Sequence, residues 1–471
     1  MTTPILDFVQ DYIKREAVRF HMPGHKGQSP LENQVGFGTF QKDMWMPIEA
    51  YDITEIEGAD VLYKASGIIA ESEANAAGLF GAAKTKYSTE GSSLSIRAML
   101  YLTVLYAKSI GRNPLILAGR NAHHAFLSAA ALMDAEVEWI YPKEQESLVS
   151  CRITAEQLED IFLQRQPSAV YITSPDYLGN ILDVEGIAAV CHKYGVLLLV
   201  DNAHGAYLSF LKENRHPIAL GADMCCDSAH KTLPVLTGGG YLHISPKAPQ
   251  LLVNNAEKAM ALFASTSPSY LILQSLDAVN AYLAKGYTER LTEFISHVEY
   301  LKEHLQKIGF TLAGDEPLKL TIASKSYGYK GFELANILAE HNMICEFADP
   351  DFLVLMLTPQ VGLSSLMALE EVLCSVERKM PITELPPALS KTERVYSIRE
   401  ALFANAKEQS IYECKGEILA STSITCPPAI PIVVCGERID EYAIKCFEYY
   451  GIERCSVIQN GFDANSSQNI A

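Results

Sequence analysis

A basic surplus, paired-cysteine spacing and long apolar runs are all missing from this chain of 471 residues. Lys and Arg number 38 against 56 Asp and Glu, a net charge of −18, and no basic stripe interrupts the acidic surplus. A polyanion would be repelled by such a surface, which argues against nucleic acid as a partner. The eleven cysteines include one adjacent pair, Cys225 and Cys226, but no C-x-x-C and no Cys/His spacing of a metal site. An odd, scattered set of thiols is expected to stay free in a reducing compartment, with neither a disulfide framework nor a bound metal. No apolar run approaches membrane length, and Met1-Thr2-Thr3-Pro4 opens no basic-then-apolar leader. A cytoplasmic protein with no membrane partner is therefore expected. Internal repeats and low-complexity blocks are absent as well.

What is present describes a folded, multidomain chain. Hydrophobic residues make up 48% and charged residues 20%, and the length predicts two or three domains. Residues 1–50 read as an irregular arm, with turn formers clustered in His21-Met22-Pro23-Gly24-His25-Lys26-Gly27. Over 51–285, helical stretches such as Ala70–Phe80 and Leu94–Ala107 alternate with short apolar strands. Those strands are Leu115–Ala118, Val137–Tyr141, Val170–Thr173, Val196–Val200 and Met224–Cys226. Continuous apolar runs mean strands covered on both faces, hence an α/β domain built on a mainly parallel sheet. Ligands of such sheets sit at the carboxyl ends of the strands. Amphipathic helices Thr288–Lys307, Gly331–Glu340 and Ser364–Lys379 flank strands Leu318–Ala323 and Phe352–Leu357, predicting a smaller α/β domain over 286–380. The proline-rich Pro381–Pro387 predicts a linker into a last α+β module, 388–471, whose polar tail Gly461–Ala471 is expected to be disordered.

The chemistry gathers just past those strand ends. Val200-Asp201-Asn202-Ala203-His204-Gly205 closes one strand, and Ser228-Ala229-His230-Lys231-Thr232-Leu233 follows another, Lys231 coming thirty positions after Asp201. A lysine amine can hold the aldehyde of pyridoxal 5′-phosphate (PLP), and a carboxylate can keep the pyridine nitrogen protonated so that the ring accepts electrons. Either residue alone would read as a solvated lysine or a strand-end cap; together they point to PLP. Thr89-Glu90-Gly91-Ser92-Ser93 precedes an apolar helix and suits a phosphate at a helix N-terminus, or else a plain serine N-cap. His123 could stack on the cofactor ring, although a structural loop histidine is the plainer reading; His204 could reach the ring hydroxyl or equally be a packed, hydrogen-bonded histidine. Gly238-Gly239-Gly240 permits close backbone approach after the lysine, or forms a simple turn.

With these residues in view, the chain resembles the Orn/Lys/Arg decarboxylase family of fold type I PLP enzymes, in its short form without an N-terminal receiver-like domain. Phe20-His21-Met22-Pro23-Gly24-His25-Lys26-Gly27, Asp52-Ile53-Thr54-Glu55 with Gly58-Ala59-Asp60, Arg120-Asn121-x-His123 and Thr173-Ser174-Pro175-x-Tyr177-x-Gly179 carry the likeness. So do Ser228-x-His230-Lys231, Cys426-Pro427-Pro428-Ala429-Ile430-Pro431 and Gly436-Glu437. The resemblance implies that Gly91, Ser92, Ser93, Ser228 and His230 surround the phosphate. It implies that Ser265 and Thr266 reach it from a neighbouring subunit, in a homodimer with shared active sites. His123, Asp201, His204 and Lys231 would be the catalytic residues, and Asp52, Glu55, Asp60 and Glu437 candidates for the substrate's distal cation.

The implied reaction is decarboxylation of a basic amino acid, arginine first, then lysine and ornithine, within polyamine metabolism. Asp-x-x-His followed by a lysine and a glycine run also resembles α-oxoamine synthases, and a non-catalytic homologue regulating polyamine enzymes is a third reading. Three positions depart from the family pattern: Glu90 where Asn is usual, Asp176 where Thr is usual and Ala429 where Gly is usual, and Thr237-Gly238-Gly239-Gly240 replaces a Gln-Ser-type turn. A carboxylate at Glu90 is expected to face, and repel, the phosphate, the alternative being that it turns towards the substrate's distal cation.

Overall fold

The computed structural model describes residues 1–28, 38–41, 44–142, 147–387, 391–422, 425–426 and 430–459. It begins with helix α1 (Pro4–Lys14), strands β1 (Gly38–Gln41) and β2 (Met44–Pro47), α2 (Ile68–Phe80), β3 (Lys84–Ser88) and α3 (Gly91–Ser109). Then come β4 (Leu115–Gly119), α4 (His124–Met133), β5 (Glu136–Ile140), α5 (Ala155–Phe162), β6 (Ala169–Thr173), α6 (Val184–Lys193) and β7 (Leu197–Asp201). They are followed by β8 (Met224–Asp227), the single-turn α7 (Ala229–Thr232), β9 (Gly240–Ile244), α8 (Gln250–Phe263) and α9 (Tyr270–Leu283).

Seven strands share one mixed sheet in the order β3-β9-β8-β7-β6-β4-β5. β5, β4, β6 and β7 pair in parallel, whereas β9 runs antiparallel to both β8 and β3. Every residue of β7 and β9 is buried, the physical reason that such strands read as unbroken apolar runs. β3, Lys-Thr-Lys-Tyr-Ser, escapes that signal because it buries polar groups. Its Lys86 ammonium lies against the Glu73 carboxylate, both side chains almost fully covered.

By its contacts the chain divides into two compact units, Met1–Leu102 with Asn202–Leu291 and Thr103–Asp201 with Thr292–Ala471. In the first, the expected irregular arm is corrected at its start: Pro4–Lys14 is a helix. Pro4 suits a first helical position, and Ile5 and Val9, four apart, are buried on one face. Asp277 on α9 accepts hydrogen bonds from Ile5 N (2.9 Å), Leu6 N (3.0 Å) and Ser72 Oγ (2.5 Å). Asp277→Ala would strand the backbone donors of Ile5 and Leu6, while Ser72 Oγ keeps Tyr87 Oη as a partner. At about 1 kcal/mol or more each, urea unfolding should register a loss of about 2 kcal/mol; a loss under about 0.5 kcal/mol would deny Asp277 that anchoring role.

The second unit adds α10 (Tyr287–Lys307), β10 (Leu312–Ala313), β11 (Lys319–Ala323), α11 (Gly331–Glu340), β12 (Phe347–Ala348), β13 (Phe352–Met356) and α12 (Leu363–Ser375). Their strands form an antiparallel sheet in the order β10-β11-β13-β12. The last helix stops four residues short of the predicted Lys379, because the backbone turns extended at Val376. Further on, Ala406–Ser410 pairs antiparallel with Arg454–Ile458, around a core that includes Leu419, Ile439, Phe447 and Val457. Arg120, buried, donates to the carbonyls of Pro431 (2.6 Å) and Ile432 (2.8 Å), which ties the strand end of β4 to this module. Residues 388–390, Pro427-Pro428-Ala429 of the expected signature and the tail Gly461–Ala471 lie outside the described residues.

Candidate active site

The first unit builds an anion cradle from three backbone segments. Gly91 N donates to Gly238 O (2.7 Å), and His230 N to Gly239 O (3.2 Å). A Cβ on Gly238, whose φ is +97°, would lie 2.9 Å from Thr89 O, and one on Gly240 2.8 Å from Asp227 O. The glycine run is thus required by close approach, the first of its two readings. The segments converge on the N-terminus of α3, a nineteen-residue helix opening Gly91-Ser92-Ser93. Its amide groups and dipole favour an anion there. Ser228 Oγ donates to Ser92 Oγ (2.9 Å), joining the helix to the segment before the lysine. His230 Nδ1 meets the carbonyl of Gly239 (2.8 Å); a carbonyl only accepts, so this nitrogen carries a proton.

One residue on from His230, Lys231 is half-buried and its Nζ lies 3.1 Å from Nε2 of the buried His204. An imidazole bonded to an amine in this way orients it and can exchange a proton with it. Two residues that the sequence nominates separately, Lys231 and His204, are therefore in contact.

In the second unit, Asp201 ends β7 almost fully buried, and Tyr171 Oη donates to its Oδ2 (3.0 Å). Tyr171 escaped the motif reading because sheet register brings it in. It lies opposite Leu199 on the neighbouring strand, diagonal to Asp201. His123 accepts from Ala125 N through Nδ1 (3.1 Å) and so caps α4, and its ring lies 4.4 Å from that of His124. The capping leaves the His123 proton on Nε2.

Of the four candidate carboxylates, two are occupied by the backbone. Asp60 accepts from the N–H groups of Val61, Ser66, Gly67, Ile69 and Ala70, closing the start of α2. Partial burial pushes its pKa up, but these N–H groups outweigh it and hold the carboxyl below its usual 3.8. Glu437, buried, accepts from Val434 N (2.9 Å) and the Thr392 hydroxyl. Asp52 meets His25 Nε2 at 3.2 Å, and Glu55 stands exposed. Asp176 accepts from Leu178 N, Asn180 N and Asn180 Nδ2, each at 2.9 Å, and so closes the turn before the aspartate strand. Glu90, the residue expected near the phosphate, accepts from Ser265 N through Oε1 (2.8 Å) within the same chain. That contact ties the segment bearing Ser265 and Thr266 to the start of α3.

Within the first unit, a hydroxyl-lined helix N-terminus and an amine held by an imidazole suit the phosphate and the aldehyde of PLP; within the second, a buried carboxylate accepting from a phenol suits a pyridinium nitrogen. A second polar group had no motif to announce it. His216, Asp227 and His243 are fully buried, with ligand-type atoms within 4.8 Å of one another.

Comparison with known proteins agrees with this geometry. Residues 3–316 match the family model for the Orn/Lys/Arg decarboxylase major domain. The chain is 30% identical to the uncharacterized protein YaaO of Bacillus subtilis (strain 168), covering 94% of this chain and 93% of that one. It is 28% identical to the arginine decarboxylase of the same organism, covering 94% and 92%. Among solved structures, the lysine decarboxylase LdcF of Francisella novicida superposes with a TM-score of 0.78 at 17% identity, over 97% of this chain and 81% of that one.

Proposed function

The chain belongs to the Orn/Lys/Arg decarboxylase family, a PLP-dependent decarboxylase of fold type I, and we propose that it decarboxylates arginine in polyamine metabolism, with Lys231 holding the cofactor. The observation that carries this reading is the Lys231–His204 contact, next to a hydroxyl-lined helix N-terminus. When bound, the cofactor supplies an electron sink for the pair left as the α-carboxylate departs as CO2. Ser92, Ser93, Ser228 and the amides of Gly91 and its neighbours would hold the phosphate. Asp201, steadied by Tyr171, would keep the pyridine nitrogen protonated, and His123 would supply a ring contact. Lys231 returns a proton to the α-carbon, with His204 holding Nζ in place.

Arginine is preferred because the relative named arginine decarboxylase aligns from end to end, whereas the lysine enzyme supports the fold alone. The acidic balance of the chain favours a cationic substrate. Glu55 is proposed to meet the guanidinium, since Asp60 and Glu437 are committed to holding backbone and Asp52 is paired with His25. The enzyme is proposed to work in the cytoplasm as a homodimer with shared sites; among the described residues no helix is long and apolar enough to cross a membrane.

Side-by-side assay of CO2 release should show arginine favoured over lysine and ornithine. Glu55→Gln should raise the KM for arginine about tenfold while kcat changes less, as loss of a charge-assisted contact outside the reacting centre predicts. Equal turnover of all three amino acids would refute the arginine assignment, and an unchanged KM would remove Glu55 from the site.

A further inference from the structure

Behind the lysine segment, a polar chain crosses the strands of the first unit. Thr85 on β3 faces His243 on β9, whose Nδ1 lies 2.8 Å from the threonine hydroxyl. His243 Nε2 lies 3.3 Å from Asp227 Oδ2, and His216 Nε2 lies 3.0 Å from the same oxygen. On the other side, Asn202 Nδ2 donates to Asp227 Oδ1 (2.7 Å), while Asn202 N donates to Cys226 O (3.0 Å). His216, His243, Asp227 and Asn202 are all fully buried.

Metal ligation is one use of such a set, since Cys225 Sγ also lies 3.9 Å from His216 Nε2. The tautomers decide against it. Ile218 N donates to His216 Nδ1 (3.4 Å), which leaves the proton on Nε2, the nitrogen a metal would need bare. Asp227 thus has two hydrogen-bond donors, His216 Nε2 and Asn202 Nδ2, with His243 Nε2 a close neighbour at 3.3 Å that does not complete a hydrogen bond to it. Burial alone would push its pKa up; His216 and His243 outweigh that and hold it below the usual aspartate range.

A fully buried carboxylate is a costly arrangement for packing alone. Its place in the chain gives it a use. Asp227 immediately precedes Ser228 and stands four residues before Lys231, while Asn202 immediately follows Asp201. We propose that Asp227 is a positioning residue for the cofactor: its carboxylate clamps Asn202 against the end of β8 and so fixes the backbone that carries Ser228, His230 and Lys231. This rests on the reading of Lys231 as the cofactor lysine.

The test is PLP titration of the full-length enzyme, followed by the absorbance of bound cofactor, with metal content measured on the same samples. Asp227→Asn keeps the volume but sets an amide N–H2 against a donor. Thr85→Val acts at the far end of the chain of bonds and leaves the carboxylate intact. Cofactor affinity should fall about tenfold or more in Asp227→Asn and a few-fold in Thr85→Val, as expected for lost bonds to a charged group. Removing the buried Thr85–His243 hydrogen bond should also lower the urea midpoint of Thr85→Val. Binding is therefore titrated without urea, where both variants stay folded by circular dichroism, and weaker binding then cannot come from unfolding. The proposal is overturned if wild type binds PLP and both variants bind within twofold of it. It is equally overturned if stoichiometric metal accompanies wild type and is lost from Asp227→Asn. Failure of wild type itself to bind PLP would instead refute the underlying assignment of Lys231.

Discussion

Lys231→Ala should yield a colourless or weakly absorbing protein whose turnover falls by on the order of 10⁴-fold or more, the scale seen when a covalent catalytic group is removed. Two roles disappear together. No amine remains to hold the cofactor aldehyde, and the group held 3.1 Å from His204 Nε2 for proton return is gone. The loss should be specific to chemistry. Lys231 is half-buried on a single-turn helix, and its truncation opens no core cavity, so the urea midpoint should stay within about 0.5 kcal/mol of wild type. PLP should still associate, because the cradle at α3 is intact, but more weakly and with the spectrum of the free aldehyde. Spectrophotometric titration beside single-turnover assays checks both halves. A variant that retains the wild-type absorbance band would show that another amine carries the cofactor.

How much of this was readable in advance follows from where the information lies in the chain. β4, β6, β7 and β8 were legible because strands buried on both faces need apolar side chains in succession. The lysine and aspartate segments were legible because their chemistry falls in consecutive residues, Ser228 to Lys231 and Asp201 to His204. β3 was not, since Lys86 is buried by pairing with Glu73 and so carries no apolar signal. Tyr171 and the partners of Asp227 were hidden for a different reason. Tyr171 reaches Asp201 across a strand register, and His243 reaches Asp227 from the next strand, separations that no local motif encodes. Acidic residues misled in the opposite sense. Asp60 and Glu437 look like substrate ligands in a sequence, but backbone N–H groups claim both carboxylates. A carboxylate that satisfies a helix start has the same letter as one that meets a guanidinium.

Asp201→Asn should leave the fold in place and reduce kcat by roughly 10²–10³-fold, the range for removing one preorganised charge-stabilising group. The amide is nearly isosteric, and Tyr171 Oη can still donate to its oxygen, so packing around the buried strand end is kept. What is lost is the negative charge. A neutral amide cannot keep a proton on the pyridine nitrogen, and the ring becomes a poorer acceptor for the electrons released with CO2. Tyr171→Phe separates charge from geometry. It removes one hydrogen bond to the carboxylate, worth about 1.5 kcal/mol or more, and should lower kcat about tenfold with little change in KM. The order of effects is the informative result: wild type, then Tyr171→Phe, then Asp201→Asn. If Asp201→Asn costs only a few-fold, the aspartate is a strand-end structural group and the electron sink is supported elsewhere. If Tyr171→Phe proves as damaging as Asp201→Asn, the phenol itself takes part in the chemistry and does more than steady a carboxylate.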